Sequence, residues 1–185
     1  NIDVGISPTS EDNPRQTSAQ NDIWERDAIM EYKPQVLPKL TCRPGYSLHK
    51  DMCYKTFPTP LNWVRAYTAC LGECGQLAEP RTKDIDEFLI SLKNAADPQN
   101  NFWFGLRRHY TKREQFIWST DLDDIIDMNT SYTNWAPGQP DDVYGYEDCV
   151  FYFAKDSNVS NDTWNNASCF TSLPYLCSTK PLEIQ

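Results

Sequence analysis

The sequence predicts an α+β domain built from two helices, several short strands and one long loop region, stapled by disulfides. Three observations carry this reading. Two stretches space their apolar residues three to four apart, four later apolar runs are short and aromatic, and seven cysteines occur in 185 residues.

Taken in order, residues 1 to about 19 are polar, contain Pro8 and Pro14 and have almost no aliphatic side chains. Such a segment cannot offset its ordering entropy alone, so it reads as an extended or mobile arm. Ile23, Trp24, Ala28, Ile29 and Met30 lie among charges between Asn21 and Tyr32, which fits one short amphipathic helix ended before Pro34. Its apolar side either packs on the parent domain or self-associates. Residues 1–41 are thus an N-terminal extension, 42–178 the domain and 179–185 a C-terminal tail.

Within the domain, Leu61-Asn62 opens a helical run in which Trp63, Ala66, Tyr67 and Cys70 share one face. A second run, Thr82 to Leu92, repeats the spacing with Ile85, Phe88, Leu89 and Leu92, while Asp84 and Asp86 suit the positive end of its first turn. The runs Phe102-Trp103-Phe104, Phe116-Ile117-Trp118, Val150-Phe151-Tyr152-Phe153 and Tyr175-Leu176 read as strands. Between the second and third lies Ser119 to Glu147, rich in prolines, glycines and acids. Irregular stretches of that length in a compact domain are usually functional or disordered.

A formal charge of −9 argues against a phosphate-backbone partner, because nucleic-acid binders need basic stripes that release counterions. No run of about eighteen apolar residues could span a membrane. Cysteines, six tryptophans and Asn-x-Ser/Thr sequons at Asn129, Asn158, Asn161 and Asn166 fit an oxidising, secretory route. The missing initiator Met and apolar leader are what a processed, exported protein would show. Zinc is the competing use of the cysteines, but tight Cys-x-x-Cys spacing is absent and only His49 and His109 are present. Seven being odd, one thiol lacks an internal partner.

The long loop and the residues after it supply oxygen donors. Gln139, Asp141, Glu147, Asn165 and Asn166 provide most of the shell of roughly six to eight oxygens that calcium takes. An enzyme is a poor fit: the two histidines are far apart, and no Gly-x-Ser-x-Gly elbow or phosphate loop is present. Asp141 and Glu147 as a glycosidase pair explain less than the five-donor set does.

These elements together resemble the C-type lectin-like domain. The resemblance rests on Trp63-x-x-Ala66-x-x-x-Cys70, Gly75-x-Leu77-Ala78, Phe102-Trp103-Phe104-Gly105-Leu106, Trp135-x-x-Gly138-Gln139-Pro140-Asp141, Glu147-Asp148-Cys149, Trp164-Asn165-Asn166, Cys169 and Cys177. It covers Cys42 to Ser178 and implies a disulfide-stapled α+β fold of two helices and small antiparallel sheets with a long loop region. It also implies the pairs Cys70 with Cys177, Cys149 with Cys169 and Cys42 with Cys53. Cys74 remains, either as a free, partly buried thiol or as an interchain bridge in a covalent dimer.

The resemblance further implies a calcium ion held by Gln139, Asp141, Glu147, Asn165 and Asn166, and sugar hydroxyls on Gln139, Asp141, Glu147 and Asn165. Gln-Pro-Asp, with Pro140 expected in the cis form, resembles binders of galactose and N-acetylgalactosamine. Two departures stand out. Asn166 replaces the usual aspartate, which implies weaker calcium binding. Val143 stands where a sugar-stacking Trp is usual, leaving Tyr144 or Tyr146 either to cover the sugar or to pack the loop. Asn166 also begins a sequon expected to stay unmodified beside the Cys149–Cys169 bridge. An accessory ion position matches Asp142, Glu147 and Asp148, but Arg107, Arg108, Lys112 and Arg113 are expected to repel an ion there. Those four cations read as a solvated basic patch or as a site for an acidic sugar or partner. The chain is thus expected to be a secreted, calcium-dependent lectin for galactose-type glycans, using avidity in a dimer or higher oligomer. The other reading is a protein-binding or structural module with weak or lost calcium and sugar binding.

Overall fold

The Asn62 side chain accepts a hydrogen bond from the Arg65 amide at 2.9 Å, and Thr82 does the same for Ile85 at 3.4 Å. These are N-caps, satisfying donors that a first helical turn leaves unpaired. They start α1 (Trp63–Gly72) and α2 (Lys83–Ala96). The computed structural model describes residues 39–184 with Leu122 and Val159 excepted. The polar arm and the helix expected over 21–32 lie outside the described residues.

The strands are β1 (Lys39–Thr41), β2 (Ser47–His49), β3 (Met52–Leu61), β4 (Gln76–Leu77), β5 (Phe102–Arg108), β6 (Phe116–Trp118), β7 (Cys149–Tyr152), β8 (Trp164–Ala167), β9 (Leu173–Thr179) and β10 (Leu182–Ile184). One sheet runs in the order β2-β3-β9-β5-β7-β8, with β4 added on β9 and β6 on β5. All its pairings are antiparallel except β5 with β9. A separate ladder joins β1 to β10 and so links residues on either side of the 42–178 span.

The run Phe102 to Leu106 is apolar at successive positions because β5 is buried on both faces. Phe102, Phe104 and Leu106 point into one cluster with Leu89, Trp118, Tyr152 and Trp164. Trp103, on the opposite face, joins Trp63, Ala66, Cys70, Phe151 and Tyr175. At Gly105 a Cβ would lie 2.7 Å from Ser119 Oγ and 2.8 Å from the Leu77 carbonyl, so only glycine allows this approach. Three disulfides, Cys42–Cys53, Cys70–Cys177 and Cys149–Cys169, staple the domain. Bridges of this kind contribute about 2–5 kcal/mol each in small secreted domains.

Two sequence expectations change here. The second helix runs past Leu92 to Ala96, and its most buried residues are Asp86, Leu89 and Lys93. Asp86 therefore does not serve the helix dipole from the surface. It is 1% exposed and accepts hydrogen bonds from Tyr152 Oη (2.5 Å), Trp164 Nε1 (2.9 Å), Tyr132 Oη (2.8 Å) and Asn134 Nδ2 (2.9 Å). Burial holds its carboxyl above the ordinary range, against the opposing pull of the four donors. Two turns on, fully buried Lys93 donates to Asp162 at 2.6 Å and to Asn94 at 2.8 Å. Burial lowers its pKa against the pull of Asp162.

Asp86→Asn turns an acceptor toward which four donors point into a group with its own N–H donors. We expect it to destabilise the domain by about 3 kcal/mol, the scale of a lost charged hydrogen bond. Thermal unfolding should show a midpoint lower by roughly 6–12 °C. An unchanged midpoint would contradict the anchoring role of Asp86.

Candidate functional site

Strand β8 carries two of the predicted donors, and its place is fixed at both ends. Its register on β7 sets Trp164 opposite Tyr152, Asn165 opposite Phe151 and Asn166 opposite Val150. At the start of the strand, the Trp164 amide donates to Asn134 O at 2.7 Å, and the Ala136 amide donates to Trp164 O at 2.9 Å. The segment Asn134–Ala136 is thus laid beside β8. A turn closed by the Gln139 amide on Ala136 O at 2.9 Å then delivers Gln139, and the Gln139–Pro140 peptide is cis.

Four of the five predicted donors come together. Gln139 Oε1 accepts from the Asp141 amide at 3.2 Å, and Asn166 Oδ1 accepts from the same amide at 3.3 Å. Asn166 Nδ2 donates to Glu147 O at 3.1 Å and to Glu147 Oε2 at 3.3 Å. Burial, with the neighbouring Asp141 carboxylate, raises the Glu147 pKa. Among the described residues no lysine or arginine is ion-paired with either carboxylate. The fifth donor, Asn165, has a buried Oδ1 with no hydrogen-bond partner.

An unpartnered buried oxygen and two unneutralised carboxylates are what a hard cation would satisfy, so these residues fit calcium. Asn166 alters the balance. Its N–H group ties down Glu147, which a carboxylate there could not do without a cation between them. At 1% exposure, with Nδ2 committed to Glu147, Asn166 also leaves no room for a glycan. The other sequon asparagines, Asn129, Asn158 and Asn161, are exposed.

The predicted sugar-facing aromatics are free of such ties. Tyr144 is 89% exposed and Tyr146 74%, on a short 3-10 turn spanning Val143–Gly145 and its C-cap. Asp142 and Tyr144 take positive φ values of 52° and 63°, a conformation side chains adopt only when their surroundings impose it.

An arginine from the expected basic patch ties this loop down. Arg113 Nη2 donates to Asp142 Oδ2 at 3.0 Å, Asp148 Oδ1 at 2.7 Å and Gly145 O at 3.0 Å. The expected accessory ion position is therefore altered by a guanidinium bridging its carboxylates. Burial raises the Asp142 pKa, but Arg113, the Glu147 amide and Arg108 together hold it below the usual range. Arg108, unlike Arg113, is buried rather than solvated: it is 7% exposed and lies over the Phe116 ring, 4.6 Å from its centroid.

Cys74 is exposed rather than partly buried, and is the unpaired cysteine among the described residues. The supports that sequence reasoning missed are Asp86 and Arg113. Asp86, Leu89 and Lys93 recur at helical spacing, so one face of α2 already carried two charges toward the core. Nothing local marked Arg113 as a clamp.

Comparison with known proteins agrees with this architecture. The sequence profile of the Lectin C-type domain matches residues 59–179. The lactose-binding lectin l-2 of Anguilla japonica is 30% identical over 142 residues, covering 77% of this chain and 80% of that protein. The galactose-specific lectin nattectin of Thalassophryne nattereri is 25% identical over 139 residues, 75% of this chain and 80% of that one. Among solved structures, the cow C-type carbohydrate-recognition domain of CD23, studied with a GlcNAc2Man3 oligosaccharide, superposes with a TM-score of 0.63 at 25% identity. That match covers 77% of this chain and 98% of the other.

Replacing Arg113 with Met should loosen the clamped loop without unfolding the domain, because the pair is half exposed. Amide exchange over Val143–Glu147 should rise roughly fivefold, matching about 1 kcal/mol of lost local stability. Exchange in β7 should not change. Equal loop rates in both proteins would show that Arg113 does not hold this loop.

Proposed function

The chain belongs to the C-type lectin family, and on that premise we propose that it is a secreted, calcium-dependent binder of terminal galactose or N-acetylgalactosamine. Domains of this family are typically non-enzymatic, and we infer no catalytic role for Asp141 or Glu147. The observation carrying the reading is the gathering of Gln139, Asp141, Glu147 and Asn166, with Asn165, whose buried Oδ1 has no partner, next to Asn166 along strand β8. Residues 42–178 carry recognition in this reading.

A bound calcium would supply the positive charge that draws in the lone pairs of two adjacent sugar hydroxyls. The side chains supply direction: Asp141 and Glu147 accept hydroxyl protons, while the Gln139 and Asn165 amides donate to hydroxyl oxygens. The order Gln139-Pro140-Asp141 is the feature favouring galactose-type over mannose-type hydroxyl pairs, and the lactose and galactose specificities of the two lectin relatives point the same way. Exposed Tyr144 and Tyr146 are available to cover the apolar sugar face in the absence of a Trp at Val143. Three disulfides support an extracellular setting. An exposed Cys74 supports a disulfide-linked dimer whose avidity offsets a modest single-site affinity. Exposed Asn129, Asn158 and Asn161 are the proposed glycan acceptors.

One observation favours a second reading, a module that binds protein without calcium: the Asn166–Glu147 link closes the site with no cation. Retention on immobilised galactose in calcium, with release by chelator and by Asp141→Ala, is the expected result. Retention that ignores the chelator, or none at all, would favour the second reading.

Asn166→Asp restores a third carboxylate and removes the N–H tie to Glu147. Calorimetry should show calcium binding about tenfold tighter than in the natural chain, whose dissociation constant should be on the order of 10⁻⁴–10⁻³ M. Equal or weaker binding in the variant would contradict the role given to Asn166.

A further inference from the structure

A cavity of about 500 Å³ opens between the start of α1 and the end of β5. That volume suits a single small ring-bearing ligand. Trp63 and the Cys149–Cys169 bridge line it together with Tyr67, Tyr110 and Arg107. Tyr67 is stacked on Trp63 at 5.7 Å, and Tyr110 is stacked on His109 at 4.7 Å while staying 68% exposed. The walls thus offer flat rings held in place from behind.

The polar side of the cavity carries Arg107, Arg108 and Arg113 against one carboxylate, Asp148. Residues 107–113 carry Arg107, Arg108, Lys112 and Arg113 and no acid, in a chain whose formal charge is −9. Arg113 is neutralised by Asp142 and Asp148. Arg108, only 7% exposed against the same cavity, donates through Nη1 to Arg113 O and is ion-paired through Nε with the same two carboxylates at 3.8 and 3.7 Å, yet its Nε and Nη2 lack a hydrogen-bond partner. Arg107 is half-buried and has no carboxylate partner among the described residues; its Nη1 donates only to Arg108 O at 3.4 Å. His109 Nδ1 accepts from the Thr111 and Lys112 amides, each at 3.1 Å, so the ring is the tautomer whose Nε2 is a donor. A buried guanidinium with two unfilled donors, and an Arg107 with no carboxylate beside it, call for an anion carried on a ring when they stand next to held aromatic rings.

We propose that this cavity is a second, metal-independent site for a sulfated saccharide unit. The sulfate ester faces Arg107 over the buried charge of Arg108, and the sugar ring packs on Tyr110. An acidic peptide fits less well, since an extended strand or helix needs a groove rather than a compact cavity.

The test uses the full chain with galactose 6-sulfate, galactose and sodium sulfate as probes, followed by NMR titration in excess chelator. Galactose 6-sulfate should bind, and more weakly at high salt. Arg107→Gln and Tyr110→Ala, both changes at accessible side chains, should each weaken it at least tenfold, while Asp141→Ala should leave it unchanged. The proposal fails if chelator or Asp141→Ala removes binding, if Arg107→Gln and Tyr110→Ala bind as the natural chain does, or if sodium sulfate binds as well as the sugar sulfate. Unsulfated galactose in calcium reports separately on the calcium-bridged site, so either proposal can fail alone.

Discussion

The carboxylate of Asp86 lies where helix α2, the Tyr132–Asn134 segment, strand β7 and strand β8 meet, and it accepts a hydrogen bond from each of the last three. A buried charge of this kind is tolerated only when its acceptor sites are filled. That requirement makes the four donors interdependent. Without Trp164, Asp86 Oδ1 keeps Tyr152 Oη alone, and Trp164 begins the strand that presents Asn165 and Asn166. Asn134 binds Asp86 through its side chain and receives the Trp164 amide on its carbonyl. The Gln139 turn therefore hangs from the same anchor as β8. The aromatic cluster of Trp164 with Phe104, Trp118, Tyr132 and Trp135 closes around it.

The second support of the site is ionic. Where a pair of aspartates calls for a cation, Arg113 supplies one from the chain itself, bridging Asp142 and Asp148 and the Gly145 carbonyl. Asn166 follows the same logic, its amide N–H holding Glu147. Both substitutions replace work an ion could do with hydrogen bonds, and both order the loop from within. The predicted consequence is a site that needs an ion for sugar contact more than for its own shape.

Much of this was legible in the sequence, for physical reasons. Helical spacing exposed α1 and α2, and short aromatic runs exposed β5, β6, β7 and β9, because burial imposes a period on the side chains. Strand β8 escaped notice because Asn165 and Asn166 carry polar groups where a strand signal needs apolar ones. The β1–β10 ladder pairs two three-residue segments from opposite ends of the domain, which no local pattern encodes. Asp86 was visible as an acid at an N-terminal turn, but its spacing to Leu89 and Lys93 carried the stronger message. Arg113 meets Asp142 and Asp148 only through tertiary folding, so its role as a clamp had no signature along the chain.

The central claim is that one scaffold, anchored at Asp86, presents a single calcium-bridged sugar site. A crystal structure with calcium and galactose tests it most directly. The account predicts one ion bound by Gln139, Asp141, Glu147, Asn165 and Asn166, with two adjacent galactose hydroxyls completing its shell and Arg113 still bridging Asp142 and Asp148. An ion that displaces Arg113, or galactose bound away from these five residues, would contradict it.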